Sequence, residues 1–175
     1  MGTAAARANP VRRVVSNTGP VLHLREAQAL DLLRWTGEVH IPRIVDTELA
    51  QQIADWQTQR PDWIAVDTLM APHDEEAAAW RQADLLHPGE AAAIALARQI
   101  SAQWLLTDDA AARLFAQALG LEAHGSLGVV LWAAATGHLD RADAEATLNR
   151  LATSSLWISS RVLTEARAAL DQLFP

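Results

Sequence analysis

Cysteine is absent from the 175 residues, and so is lysine: all 14 cationic side chains are arginines. The first absence excludes disulfide frameworks and thiolate metal sites, and it suits a reducing cytosol. The second excludes a P-loop, which needs a lysine on the β- and γ-phosphates. It also argues against response-regulator receivers and haloacid-dehalogenase-type phosphatases, two acidic-cleft classes that typically place a lysine beside their aspartates. No stretch approaches the ~20 apolar residues needed to cross a bilayer. Asn17, Thr18 and Pro20 interrupt the only apolar run near the start, so no secretory signal is expected there. Basic character is scarce too. The formal net charge is −7, which speaks against a strong non-specific grip on DNA, because such binders present a basic face. Cleavage of RNA is still compatible with this balance if the acids gather around a metal and arginines ring the cleft.

What remains is ordinary for a globular chain: half of it is apolar and a fifth is charged. A domain of this length can bury about 70% of its unfolded surface and needs no staple to fold. Residues 1–10 read as a mobile leader. Residues 11–175 read as a single domain, with 126–175 mainly helical.

Short apolar runs alternate with amphipathic segments along the chain. Residues 12–16 (RRVVS), 38–41 (EVHI), 63–66 (WIAV), 103–107 (QWLLT) and 121–124 read as five strands. Helices are expected over 20–35, from Pro42 through Trp56, over 74–86, 90–100 and 109–119, the last closed by Gly120. Between 42 and 56, Val45, Leu49, Ile53 and Trp56 recur at the spacing of one helical face. Three more helical segments follow, parted near Gly137-His138 and Ser154–Ser160. Strands that alternate with helices imply βαβ units and a parallel sheet covered on both faces. The expected fold is a doubly wound α/β sheet with strand order 3-2-1-4-5 and a helical C-terminal extension.

Ligands of such sheets bind beyond the carboxyl ends of the strands, where the strand order reverses. Strand one ends in Ser16-Asn17-Thr18 and strand four in Thr107-Asp108-Asp109, while Glu48 sits two turns into the helix after strand two and Glu90 opens the helix before strand four. With strands one and four adjacent, these groups can share a cleft. Oxygen donors of this kind suit magnesium or manganese, which lower the pKa of water and steady charge on a phosphodiester. Each residue also has a plainer role. Glu90 suits the positive end of a helix dipole, Asp108 or Asp109 can cap a helix, Glu48 can be a solvated helix residue, and Asn17-Thr18-Gly19 can be a turn. The joint pattern is what favours a site. The six histidines show no metal-ligand spacing, and the seven tryptophans suit core and interface positions.

The segments VVSNTGPVLHL (14–24), IPRIVDTEL (41–49), PGEAAAIALA (88–97), LLTDDAAARLFAQALGL (105–121) and GSLGVVLWAAATGHL (125–139) together resemble the PIN-domain family, in particular a compact VapC-like prokaryotic subgroup. They cover most of 14–139. The resemblance implies a divalent-metal-dependent ribonuclease, often the toxin paired with a small antitoxin protein and often a homodimer. It maps the family's acids onto Asn17, Glu48, Glu90 and Asp109, with Asp108 beside them as a further metal candidate. Thr107, Thr18 and Asp108 are then expected to orient the ligands, and Arg113 and Arg25 to contact phosphate. The departure is Asn17, where the family usually has an aspartate; the amide oxygen can ligate a metal but removes one charge. A module that binds RNA or protein without hydrolysis is the alternative. Val129, Val130, Trp132, Leu148, Leu151 and Trp157 are candidates for a dimer or antitoxin seat, or else simply cover the sheet.

Overall fold

The computed structural model describes residues 11–175, and the expected leader at 1–10 lies outside the described residues. Five strands form one all-parallel sheet: β1 (Arg13–Ser16), β2 (Glu38–Pro42), β3 (Ile64–Asp67), β4 (Trp104–Leu106) and β5 (Ala123–His124), in the order β3-β2-β1-β4-β5. This is the order expected from the sequence. β1 lies in the middle, with Val14 opposite Val39 on one side and Trp104 on the other. Its period-two alternation divides the core. Val14 faces one apolar layer and Val15 the other, and Leu106 and Leu105 do the same on β4.

The larger layer is built by α1 (Thr18–Glu26), α2 (Leu32–Thr36), α3 (Arg43–Gln52), α4 (Trp56–Gln59), α8 (Ser126–Ala135), α9 (Arg141–Ala152) and α10 (Ser160–Leu173). Val129, Val130, Leu148 and Leu151 are fully buried in it. These four therefore cover the sheet and offer nothing to a partner, which leaves Trp157 as the exposed member of the six expected at an interface. The opposite layer is built by α5 (His73–Gln82), α6 (Pro88–Gln99) and α7 (Ala110–Ala118). In α6 the residues from Ala91 to Ala97 are all buried. Alanine has almost no side chain to hold the helix away, so α6 lies close against β1, β2 and β4. That position brings its N-terminus to the carboxyl edge of the sheet. Among the described residues, no helix is long and apolar enough to cross a membrane.

Three helices differ from expectation, and the one expected over 74–86 ends at Gln82, just before Asp84 at φ +55°. The segment expected to be one helix over 20–35 breaks after Glu26, where Gln28 takes φ +55°. The amide of Ala29 bonds the carbonyl of Leu24 and that of Gln28 bonds Arg25, a six-to-one and five-to-two pair that closes a helix end. The helix expected to run from Pro42 to Trp56 stops at Gln52, with Ile53 extended and Asp55 at φ +60°. All four residues of its apolar stripe are nevertheless buried, because the chain resumes as α4 and returns Trp56 to the core. The indole of Trp56 and the guanidinium of Arg60 both donate to Asp46 Oδ1, at 2.8 and 2.7 Å.

Candidate active site

The chain order reverses between β1 and β4, the point at which a doubly wound sheet opens a crevice. A cleft of about 350 Å³ lies there. Its walls include Asn17, Thr18, Glu48, Glu90, Asp108 and Asp109, so every acid and amide expected from the sequence is brought to one place. Arg25 is not: its guanidinium bonds the Gln59 side chain at 2.7 Å, away from the cleft lining. Arg113 lines the adjoining groove, with Nη2 donating to the Thr107 carbonyl at 3.3 Å.

Asn17 follows the last residue of β1 and stands at the N-cap of α1, a position where asparagine normally bonds the first helical amides. It makes no such bond. Its Nδ2 instead donates to Thr107 Oγ1 at 2.9 Å, across the β1–β4 junction. The amide oxygen is buried and has no partner among the described residues. A buried acceptor left unpaired costs about 1–3 kcal/mol, so this oxygen is a position awaiting a donor or a cation.

The three carboxylates are each held by a nearby donor. Glu48, on α3, accepts a short hydrogen bond from Thr18 Oγ1. It lies against Gly89, where a Cβ would come within 2.8 Å of Glu48 Oε1. Glu90 folds back at the start of α6 so that Oε2 accepts from the His87 amide at 3.0 Å, one half of a capping box with His87. Asp109 caps α7 by accepting from the Ala112 amide at 2.7 Å. One oxygen of each carboxylate is thereby engaged. Among the described residues, no three acidic or histidine side chains close into a ready-made metal cluster; the acids line the cleft without converging.

Their proximity registers in Glu90. Burial pushes its carboxyl above the ordinary glutamate value, and the charges of Asp109 and Glu48 add to the rise against the opposing His87 amide and imidazole. The macrodipole of α6 alone would favour the ionised form, so the upward shift reflects burial first, with the nearby acids adding to it.

Asp108 behaves differently from its neighbour. Its Oδ1 accepts from the Ser126 amide at 2.6 Å, and its Oδ2 meets Ser126 Oγ at 2.6 Å and His23 Nδ1 at 2.7 Å. Both oxygens are occupied, and the side chain ties the end of β4 to α1 and to the start of α8. His23 lines the cleft as well. Neither His23 nor Ser126 stood out in the sequence, since they lie 85 and 18 residues from Asp108 and no local motif marks them.

A family model described as a PIN domain matches residues 13–172. The chain belongs to the PIN-domain family. No curated protein matches the sequence. PIN domains are in general nucleases, hydrolases that typically use divalent metal ions, and the parallel sheet in 3-2-1-4-5 order is the fold expected of one.

The donor set fits such an ion. It consists of oxygen alone, from three carboxylates and an amide, as hard cations prefer, and the amide oxygen of Asn17 is the orphan a cation would satisfy. The glycine at position 89 leaves room for the Glu48 carboxylate. Gly89→Ala is expected to keep the fold, since alanine favours a helix over glycine by up to ~1 kcal/mol, yet to push the flexible end of Glu48 aside. The rise in melting temperature on adding manganese should shrink, with apparent affinity about ten-fold weaker. An undiminished manganese response in this variant would show that Glu48 is not where the ion sits.

Proposed function

We propose that this PIN domain is a divalent-metal-dependent endoribonuclease, with magnesium or manganese as its cofactor. The observation that carries the proposal is the unpartnered, buried Asn17 oxygen in the same cleft as Glu48, Glu90 and Asp109. These four residues would hold the ion. When bound, it supplies the positive charge that lowers the pKa of water and neutralises a phosphodiester.

The rest of the work falls to the chain's own groups. Thr107 accepts from the Asn17 Nδ2 and so holds the amide in one orientation, its oxygen left unpartnered among the described residues. The Thr18 hydroxyl and the His87 amide fix the rotamers of Glu48 and Glu90. Asp108 orients by locking α1 and α8 onto the end of β4, and its filled oxygens suit that role better than ligation. Arg113, one turn along α7 from Asp109, is the cation placed to meet a phosphate of the strand. The four acids around the cleft repel RNA until an ion offsets them, so substrate binding there should itself depend on the cation.

Incubation with RNA and manganese is the direct test. Cleavage is expected from the parent and not from a Glu48→Ala/Asp109→Ala double variant; equal activity in the two preparations would exclude this site. The biological setting we favour, from the VapC-like SNTGP segment at 16–20, is the toxin of a cytoplasmic toxin–antitoxin pair, homodimeric and restrained by a small antitoxin. A reading frame for a small DNA-binding protein beside its gene is the expected neighbour.

A second reading has an observation of its own. The amide at position 17 and the absence of a closed acid cluster among the described residues favour a module that binds RNA or protein without cutting. It predicts no cleavage by the parent.

A further inference from the structure

A second groove, of about 590 Å³, runs on from the acidic cleft and shares Asp108, Asp109, Leu156 and Trp157 with it. Its lining is largely apolar, and its polar contributions come from Arg113, His124 and Ser159 as well as the two aspartates. Between cleft and groove stands Trp157, with 84% of its surface exposed.

An indole in water is unusual enough to need a reason, and the loop around it is not loose. The flanking Leu156 and Ile158 turn inward and pack against the larger core. Ser155 donates its amide and hydroxyl to the Glu26 carboxylate at 2.7–2.9 Å. Ser154 Oγ bonds the Leu151 carbonyl at 2.7 Å, and Ser159 caps α10 through the Val162 amide. Three consecutive apolar residues, Leu156-Trp157-Ile158, are thus fixed with the outer two partly buried against the core and the middle one held outward. A rigid aromatic ring presented this way loses little conformational entropy on binding.

Arg113 supplies the second element. Among the described residues, its Nη2 reaches only the Thr107 carbonyl, at 3.3 Å, and its buried Nε has no partner. A stacking surface and a cationic side chain lining one groove form the combination by which single strands are gripped without sequence readout, and here that groove adjoins the acidic cleft.

We infer that Trp157 is a stacking platform for a nucleobase of single-stranded RNA, next to the phosphodiester that lies in the acidic cleft, while Arg113 takes a neighbouring phosphate. The inference rests on the nuclease reading of the cleft and adds a subsite to it. A single strand fits the groove because a base inside a duplex has both faces covered by its stacking neighbours, whereas an unstacked base offers one.

The test measures binding of a labelled short single-stranded RNA, with calcium replacing magnesium, to the parent, Trp157→Ala and Trp157→Phe. Cleavage in manganese is followed in parallel. Trp157→Ala should weaken binding about ten-fold with an unchanged melting temperature, since the side chain supports nothing beneath it. Trp157→Phe should keep most of the affinity. An abasic strand should bind the parent and Trp157→Ala alike. Cleavage by the parent with equal RNA affinity in Trp157→Ala would overturn the platform and leave the nuclease standing. Equal RNA affinity together with loss of self-association by light scattering in that variant would make the loop a protein interface. A parent that neither binds nor cuts RNA would overturn both.

Discussion

Glu90→Gln is expected to lower RNA cleavage by on the order of 100-fold or more, the usual scale for removing a group that stabilises transferring charge. It is also expected to make the metal-free protein more stable at neutral pH. Both effects have one origin. Burial, with Asp109 and Glu48 nearby, raises the Glu90 pKa, so the folded protein prefers this carboxyl protonated. A group of that kind contributes its stability fully below its unfolded pKa, and the contribution is lost as pH rises through the raised folded value. At neutral pH the ionised side chain therefore weighs against folding. Glutamine keeps the oxygen that accepts from the His87 amide while removing the charge. The melting temperature of the variant should exceed that of the parent at pH 7 in chelator, and the two should converge in acid below the ordinary glutamate value. Manganese should reverse the ranking by stabilising the parent alone. A variant that is less stable than the parent at neutral pH in chelator would mean that Glu90 serves the fold rather than an ion.

Asn17→Asp is the complementary change. It adds a charge at the buried oxygen that lacks a partner, with Thr107 free to turn its hydroxyl proton toward the new carboxylate. Without metal the substitution places a fourth acid beside Glu48, Glu90 and Asp109, and a destabilisation of about 1–3 kcal/mol is expected. With metal the sign changes. An added unit charge in contact with a divalent ion is worth a few kcal/mol before its desolvation cost, so affinity for manganese should rise about ten-fold or more. Calorimetric titration separates the outcomes. Tighter metal binding with raised cleavage supports a ribonuclease tuned down by asparagine. Cleavage that appears only in the variant supports the non-hydrolysing module. Unchanged metal affinity would remove position 17 from the site.

The strands and the polar residues of the cleft were legible because they depend on features local in sequence. Fully apolar runs such as Val14-Val15 and Leu105-Leu106 announce strands buried on both faces, and polar residues directly after them fall at the carboxyl edge. Helix ends were legible where glycine marks them. Gly120 and Gly137 take φ +81° and +79°, as the closing turn requires. The same turn is made by Gln28, Asp84 and Ser101 at φ +55°, +55° and +51°, and nothing in those residue types signals it. At Gln28 and Asp84 this is why the expected helices ran too far. A left-handed residue other than glycine costs about 1–2 kcal/mol, which the packing of Leu24, Ala27 and Ala29 offsets around Gln28.

Within the cleft, residue types gave the acids but not their states. Asp108 and Asp109 are adjacent and chemically alike. Only the distant Ser126 and His23 distinguish the saturated carboxylate from the one with a spare oxygen. Trp157 stood out only among six candidates for an interface, since in a run of three apolar residues the sequence does not say which one the loop turns outward.

A crystal grown with manganese, measured for anomalous scattering, tests the central claim most directly. One peak is expected in the cleft within coordination distance of Asn17 Oδ1, with the free oxygens of Glu48, Glu90 and Asp109 turned toward it. A manganese-containing crystal with no peak in that cleft, and the Asn17 oxygen satisfied by water alone, would contradict it.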